Sequence, residues 1–257
     1  MTPTGRWDNG PHARNDGPEL QRLQASAAAN TMPGPWGLNL PVLFHGSQPW
    51  LPEAAGQAMS SALHEQRLDT VARELLASGA RSVLDLGCGP GKLLLRLVQQ
   101  PQFERIIGID IDEHALREAR LTLGLGLPDQ ADRVQVRYGS FEAADRDYAG
   151  FDAAALVETI EHIDPRRLSR VESAVFGSMR PATIVVTTPN HEYNVLHGMT
   201  PGRLRHPGHR FEWNRAKFQQ WAQGVADRNH YAVTFLDIGP PDPLRGSSTQ
   251  MARFIAT

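Results

Sequence analysis

Between Arg81 and Asn190 the chain alternates short apolar runs with helix-like segments, and this limits its fold more than any other feature. RSVLDLG, RIIGIDID, VQVRYGS, FDAAALVE and ATIVVTTPN read as buried strands. GKLLLRLVQQ, EHALREARLTLG and RLSRVESAVFGSM space their apolar residues as helices do. Strands separated by helices lie parallel, with right-handed crossovers that cover both faces of one sheet. The expected fold is therefore α/β, doubly wound and mostly parallel. YAVTFLDIG and TQMARFIAT are apolar enough to be its final two strands. Upstream, from Gly56 to Gly79, Leu63, Leu68, Val71, Leu75 and Leu76 form a helical stripe, and Gly79 is a suitable stop.

Residues 1–50 are rich in Gly, Pro, Asn and Ser and read as a flexible N-terminal segment, leaving 51–257 as one domain. Within it, 192–223 is rich in His, Arg and aromatics and reads as an insertion ending in the helix-like RAKFQQWAQ. No apolar run reaches the roughly 18 residues of a membrane helix, and the N-terminus lacks the apolar core of a signal peptide. The lone Cys88 excludes an internal disulfide and a cysteine-rich zinc site, so a cytoplasmic location is expected. A net charge of −2 argues against a broadly basic coat for nucleic acid. Locally, Arg203, Arg205, Arg210, Arg215 and Lys217 face one acid, Glu212; such a cluster suits phosphate and equally suits a solvated surface. Nothing in the sequence calls for an obligate protein partner.

The run VLDLGCGPGKLL places Asp85, Gly87, Gly89 and Gly91 where the first strand turns into a helix. Glycines there permit close backbone approach, and the helix start offers free N–H groups. A dinucleotide fingerprint favours the spacing G-x-G-x-x-G, whereas this loop reads G-C-G-P-G. Asp85 suits the cationic amino group of a methionine moiety, and Asp110, at the end of the second strand, suits both hydroxyls of a ribose. Together these residues point to S-adenosylmethionine as the cofactor. Ser140 and Phe141, after the third strand, are placed to hold its adenine, although a simple turn with a packed Phe fits as well. Cys88 has no neighbour in sequence that marks it as a nucleophile.

Strand FDAAALVE brings Glu158 to the carboxyl edge of the sheet, where open α/β folds place their chemistry. Glu158, Glu161 and His162 stand at i, i+3 and i+4, so on a helix or helical turn they share one face. Two carboxylates and an imidazole there can hold a divalent cation, with His209 as a fourth ligand from the insertion. The alternative is a capped helix start with exposed acids and an arginine-rich surface loop. Mixed oxygen and imidazole ligation suits Mg²⁺ or Mn²⁺. Such a cation can chelate adjacent 2′ and 3′ hydroxyls, and only the last nucleotide of an RNA presents both free.

Through VETIEHID, TTPNHEYN, LRHPGHRFEWNRAKFQQWA and GSSTQMARF, the sequence from about Gln66 to its end resembles the small-RNA 3′-terminal ribose 2′-O-methyltransferase family. The resemblance implies a seven-stranded, Rossmann-like methyltransferase sheet with the insertion on the RNA side. It implies Mg²⁺ or Mn²⁺ on Glu158, Glu161, His162 and His209 as the catalytic centre, touching both terminal hydroxyls of an RNA 3′ end. It also implies a donor pocket containing Asp85, Gly87, Asp110 and Ser140. Where many relatives read H-x-D-H, this chain has His206-Pro207-Gly208-His209. The large N-terminal domain of bacterial RNA-repair relatives and the RNA-binding modules of plant ones do not occur in the sequence, which leaves the RNA class open.

Pro189, Asn190, Glu192, Tyr193 and Asn194 follow the fifth strand, where they can either touch the terminal nucleotide or fix the loop. Arg203, Arg205 and Arg210 are candidates for the terminal phosphates, while Phe211 and Trp213 are placed either to stack on a base or to pack within the insertion. Two other readings stay open: a methyltransferase of a small molecule or another nucleic-acid position, with structural acids, and a catalytically silent RNA-binding protein of the same fold.

Overall fold

Strand β1 (Ser82–Leu86) is buried along nearly its whole length, and the rest of the sheet is built outward from it. The computed structural model describes residues 53–125, 133–143 and 145–257, with side chains described from residue 61 onward. The expected flexible segment, 1–50, lies outside the described residues.

On one side of β1 lie β2 (Arg105–Asp110) and then β3 (Val134–Tyr138); on the other lie β4 (Ala153–Val157) and β5 (Thr183–Pro189), all parallel. β7 (Thr249–Ala256) runs antiparallel between β5 and β6 (Tyr231–Ile238), giving the order β3-β2-β1-β4-β5-β7-β6. All seven expected strands form. The chain's direction of travel reverses between β1 and β4, so a crevice opens outside their carboxyl ends, where open α/β sheets bind ligands.

Alternate side chains of each strand enter opposite cores, as a pleated sheet requires. Leu84, Leu86, Ile107, Ile109 and Leu156 face one, whereas Val83, Ile106, Ala155 and Val185 face the other. The second face is covered by α1 (Glu53–Ala77), α2 (Lys92–Val98) and α3 (Glu113–Thr122), through Leu68, Leu75, Leu94 and Leu116. The first is covered by α4 (Leu168–Val171), continued as a π-helix over Glu172–Met179, and by α5 (Arg215–Asn229). The sequence predicted an ordinary helix at α4. The wider turn buries Val175, Phe176 and Met179 together, and Phe176 meets Phe254 edge-on with centroids 4.9 Å apart.

The segment expected as an insertion over 192–223 divides in two. Its last part is the start of α5, which buries Phe218 and Ala222 against the sheet. The remainder, a 3₁₀ stretch over His191–His197 and an irregular loop to Asn214, is fixed by a polar clamp. Arg205 donates from Nε to Asn194 Oδ1 (2.6 Å) and from its two terminal nitrogens to Asn190 O (2.6 Å) and Ser248 O (3.0 Å). Glu212 accepts from the Arg205 N–H and from Asn194 Nδ2, both at 2.6 Å, and pairs with His209 Nδ1 at 2.6 Å. The Asn190 amide nitrogen in turn donates to Arg245 O and Ser247 O.

Burial acts to raise the Glu212 carboxyl, but the His209, Asn194 and Arg205 contacts outweigh it and hold the group at about 2. Its contribution to stability is therefore complete above the ordinary carboxyl range and is lost as pH falls through about 2. Glu212→Gln is expected to lower the free energy of urea unfolding by about 2–3 kcal/mol at pH 7. The gap to the native protein should close between pH of about 4.3 and about 2. A gap independent of pH over that range would contradict the clamp.

Candidate active site

After β1 the chain turns at once through Gly87, Cys88 and Gly89 into α2. Gly87 (φ +85°), Gly89 (+50°) and Gly91 (+80°) all take the left-handed conformation. At Gly87 the requirement is also steric, because a Cβ would lie 2.5 Å from Thr159 Cγ2. The Gly87 and Cys88 N–H groups donate to Ile109 O at 2.8 and 3.0 Å, and the Gly89 N–H donates to Asp110 Oδ2 at 2.8 Å. The Asp112 N–H takes Oδ1 at 2.9 Å. Asp110 is thus fixed at the end of β2, and a carboxylate held this way keeps lone pairs for a ribose diol.

Asp85 is 2% exposed, and its Oδ2 meets no hydrogen-bond donor among the described residues. Burial, and then the neighbouring Asp110, pushes its carboxyl up to about 7. A buried carboxyl with one open oxygen at the base of a glycine turn is arranged to receive a cationic group. The Gly139 N–H donates to Asp110 O at 3.0 Å, which brings the Ser140–Phe141 turn beside the loop. Ser140 Oγ accepts the Glu142 N–H at 3.2 Å, and Phe141 is half-buried against the Gly87 position. Ile111, directly after Asp110, is 65% exposed and offers an apolar face at this cleft. Its signal in the sequence was an apolar residue between the two acids of D-I-D. Cys88 packs its sulfur against the Gly108 position, and burial pushes its thiol far up, so it is no nucleophile.

At the end of β4 the backbone takes an unusual turn. Glu158 is left-handed (φ +52°), a conformation that L side chains resist. Its N–H reaches both Thr187 O and Thr187 Oγ1 at 3.1 Å, and the Thr187 hydroxyl donates back to Glu158 Oε1 at 3.1 Å. Arg67, from α1, pairs with Glu158 Oε2 at 3.2 Å and also donates to Thr249 Oγ1. A 3₁₀ turn over Ile160–His162 follows, so the helical face expected from the i, i+3, i+4 spacing is replaced by a tighter geometry. The turn buries Glu161 completely and leaves His162 at the surface. Glu161 Oε2 accepts from the Thr188 hydroxyl at 3.0 Å, while Oε1 has no partner among the described residues. Burial, reinforced by Glu158, raises its carboxyl well above the usual range.

The loop arrives at this turn through one backbone hydrogen bond, from the Arg210 N–H to Glu161 O at 2.7 Å. It sets the His209 ring 4.8 Å from that of His162, edge to face. Glu212 holds His209 by Nδ1, which leaves its Nε2 free to ligate, as carboxylate-oriented histidines do in metal sites. Burial, then His209 beside it, lowers the His162 imidazole below its usual range and favours the neutral, ligating form. Among the described residues, the ligand atoms that converge within 4.8 Å belong to His162, His206 and His209. Glu158 and Glu161 stand outside that group. His206 was not singled out from the sequence, since its approach depends on the turn through Gly208.

Several loop residues have structural roles. Arg205 is the centre of the clamp, so it is not open to a phosphate; Arg203 and Arg210 are exposed. Asn190 and Asn194 fix the loop, and buried Phe211 and Trp213 stack on each other at 4.3 Å.

Residues 83–182 match a family described as a methyltransferase domain. The small RNA 2′-O-methyltransferase of Gallus gallus is 37% identical over 203 residues, which are 75% of this chain and 54% of that protein. The chain spans about half the length of the curated relatives it matches. Among solved structures, the methyltransferase domain of bacterial CtHen1 is 42% identical with a TM-score of 0.69, covering 75% of this chain and 99% of that one. The small RNA methyltransferase HEN1 is 30% identical with the same TM-score of 0.69, covering 76% of this chain and 26% of its own. At 42% identity across 99% of the CtHen1 methyltransferase domain, the chain belongs to the Hen1 methyltransferase family.

Proposed function

We propose that this chain moves a methyl group from S-adenosylmethionine to the 2′-hydroxyl of the 3′-terminal ribose of RNA, with a divalent cation, Mg²⁺ or Mn²⁺, assisting. The observation that carries this reading is that, among the described residues, Asp85 at the carboxyl end of β1 and Glu161 in the turn after the adjacent β4 each keep a buried carboxyl oxygen without a donor; Glu142 Oε2 has none either, but that carboxylate pairs with Arg167 through Oε1. Asp85 and Glu161 each fit a positive charge supplied from outside the chain.

On the donor side, Asp85 receives the ammonium group, Asp110 the ribose hydroxyls, and Ile111 with Phe141 the faces of the adenine. The left-handed Gly87 lets the backbone lie close to the methionine portion, where a side chain would collide with Thr159. On the acceptor side, Glu158, Glu161, His162 and His209 form a donor set that suits Mg²⁺ or Mn²⁺. When bound, such a cation lowers the pKa of a coordinated hydroxyl and orients it. Thr187 and Arg67 hold Glu158 in place, and Glu212 fixes the tautomer and direction of His209. Exposed Arg203 and Arg210 are placed for backbone phosphates of the RNA. Among the described residues no helix is long and apolar enough to cross a membrane, and a cytoplasmic location is consistent with the lone cysteine.

The test of the acceptor is transfer of labelled methyl to one RNA in two forms, with its terminal diol intact or oxidised by periodate. Label is expected in the intact RNA alone, in the terminal nucleoside, and chelator should remove it; equal labelling of the oxidised RNA would contradict the reading. The donor side makes a separate prediction. The raised Asp85 carboxyl must ionise to meet the ammonium group, so donor affinity should rise with pH through about 7 and level off above it. Calorimetry at several pH values checks this, with Asp85→Asn expected to bind weakly and without that slope. A native affinity flat from acid to neutral pH would contradict it.

A further inference from the structure

Three imidazoles meet at the surface beside the two carboxylates. Ring centroids of His162, His206 and His209 lie 4.8 Å (162–209), 5.6 Å (162–206) and 5.5 Å (206–209) apart, and their ligand atoms fall within 4.8 Å of one another. Nitrogens held at about 2.1 Å around one tetrahedral cation lie about 3.4 Å apart. Side-chain rotation of exposed His162 and His206 that shortens the longest separation by roughly 1–1.5 Å closes the group.

What admits His206 is the glycine at 208. The Gly208 N–H donates to His206 Nδ1 at 3.0 Å and the His209 N–H to His206 O at 3.1 Å, so the chain folds back and brings the ring over the turn. A Cβ on Gly208 would lie 3.0 Å from His206 Nδ1 and 3.1 Å from His162 Nδ1. Any side chain there would stand between the two imidazoles. His162 and His209 are reached from different elements, the turn after β4 and the 198–214 loop, so the cluster is not a run of neighbouring surface histidines.

We propose that His206 is a third imidazole ligand, and that with His162 and His209 it gives this chain a cation site that takes a borderline divalent ion of the Co²⁺, Ni²⁺ and Zn²⁺ class in preference to Mg²⁺. Imidazole nitrogen favours those ions, whereas oxygen-rich sites favour Mg²⁺. The inference rests on the reading of His162 and His209 as ligands given above, and goes beyond it in the third ligand and in the cation that the third ligand selects.

The experiment is a Co²⁺ titration of the full chain after chelator treatment, read by visible absorption of the bound ion, with neither donor nor RNA present. Mg²⁺ affinity is read in parallel by its displacement of Mn²⁺, followed by electron paramagnetic resonance. One Co²⁺ per chain is expected. His206→Ala should weaken Co²⁺ binding about tenfold or more while changing Mg²⁺ affinity by less than about threefold. Gly208→Ala, which keeps the ligand but obstructs it, should weaken Co²⁺ in the same sense. Thermal unfolding in chelator is expected to be unchanged in His206→Ala, because the residue is exposed. Co²⁺ affinity unchanged in either variant overturns the role of His206 and leaves the methyl-transfer reading standing. Failure of the native chain to bind Mn²⁺ or Co²⁺ at all removes both.

Discussion

Taking a carboxylate out of water costs several kcal/mol unless donors or an opposite charge meet it, and among the described residues this chain buries three of them, Asp85, Glu161 and Glu212. Glu212 is met in full: His209, Asn194 and the Arg205 amide hold it in its ionised form. Asp85 and Glu161 are treated in the opposite way. Each keeps one oxygen without a partner, and each is raised by its burial and by a second carboxyl nearby. The satisfied group builds the scaffold, and the proposed function assigns charge from outside the chain to the two that are left unsatisfied.

The backbone bears a matching strain. Gly87 and Glu158 both turn through left-handed conformations at the ends of β1 and β4, the two strands at which the sheet's connection order reverses. Gly87 accepts this without cost, and its missing side chain is what allows Thr159 to lie against it. Glu158 resists it and is kept there by Thr187 and Arg67. The 198–214 loop is then tied to the same turn by the hydrogen bond from Arg210 to Glu161, which brings the histidines of the loop to the turn that carries Glu161. Strain at such a place is characteristic of sites under functional demand.

Much of this was legible in the sequence because it depends on short-range pattern. Runs such as RIIGIDID and ATIVVTTPN are apolar on both faces, as buried parallel strands must be, and all seven strands lie where those runs fall. The glycine turn and its acids declare themselves by spacing. The spacing of Glu158, Glu161 and His162 suggested a helical face, yet a left-handed residue followed by a 3₁₀ turn sends Glu161 inward and His162 outward. Arg205 resembled a phosphate ligand because its partners Asn190 and Ser248 lie 15 and 43 residues away. The approach of His206 depends on what a missing Cβ permits at Gly208. Contacts of that kind follow from tertiary packing, which local spacing does not encode.

The central claim is that Glu161 is buried for a cation at the expense of stability. Its direct test is Mn²⁺ binding to the native chain and to Glu161→Gln, followed by electron paramagnetic resonance, together with urea unfolding of both in chelator. The account predicts that the variant binds Mn²⁺ at least about tenfold more weakly, yet is more stable without metal by about 1–3 kcal/mol. Unchanged Mn²⁺ affinity, or a variant less stable than the native chain in chelator, would contradict it.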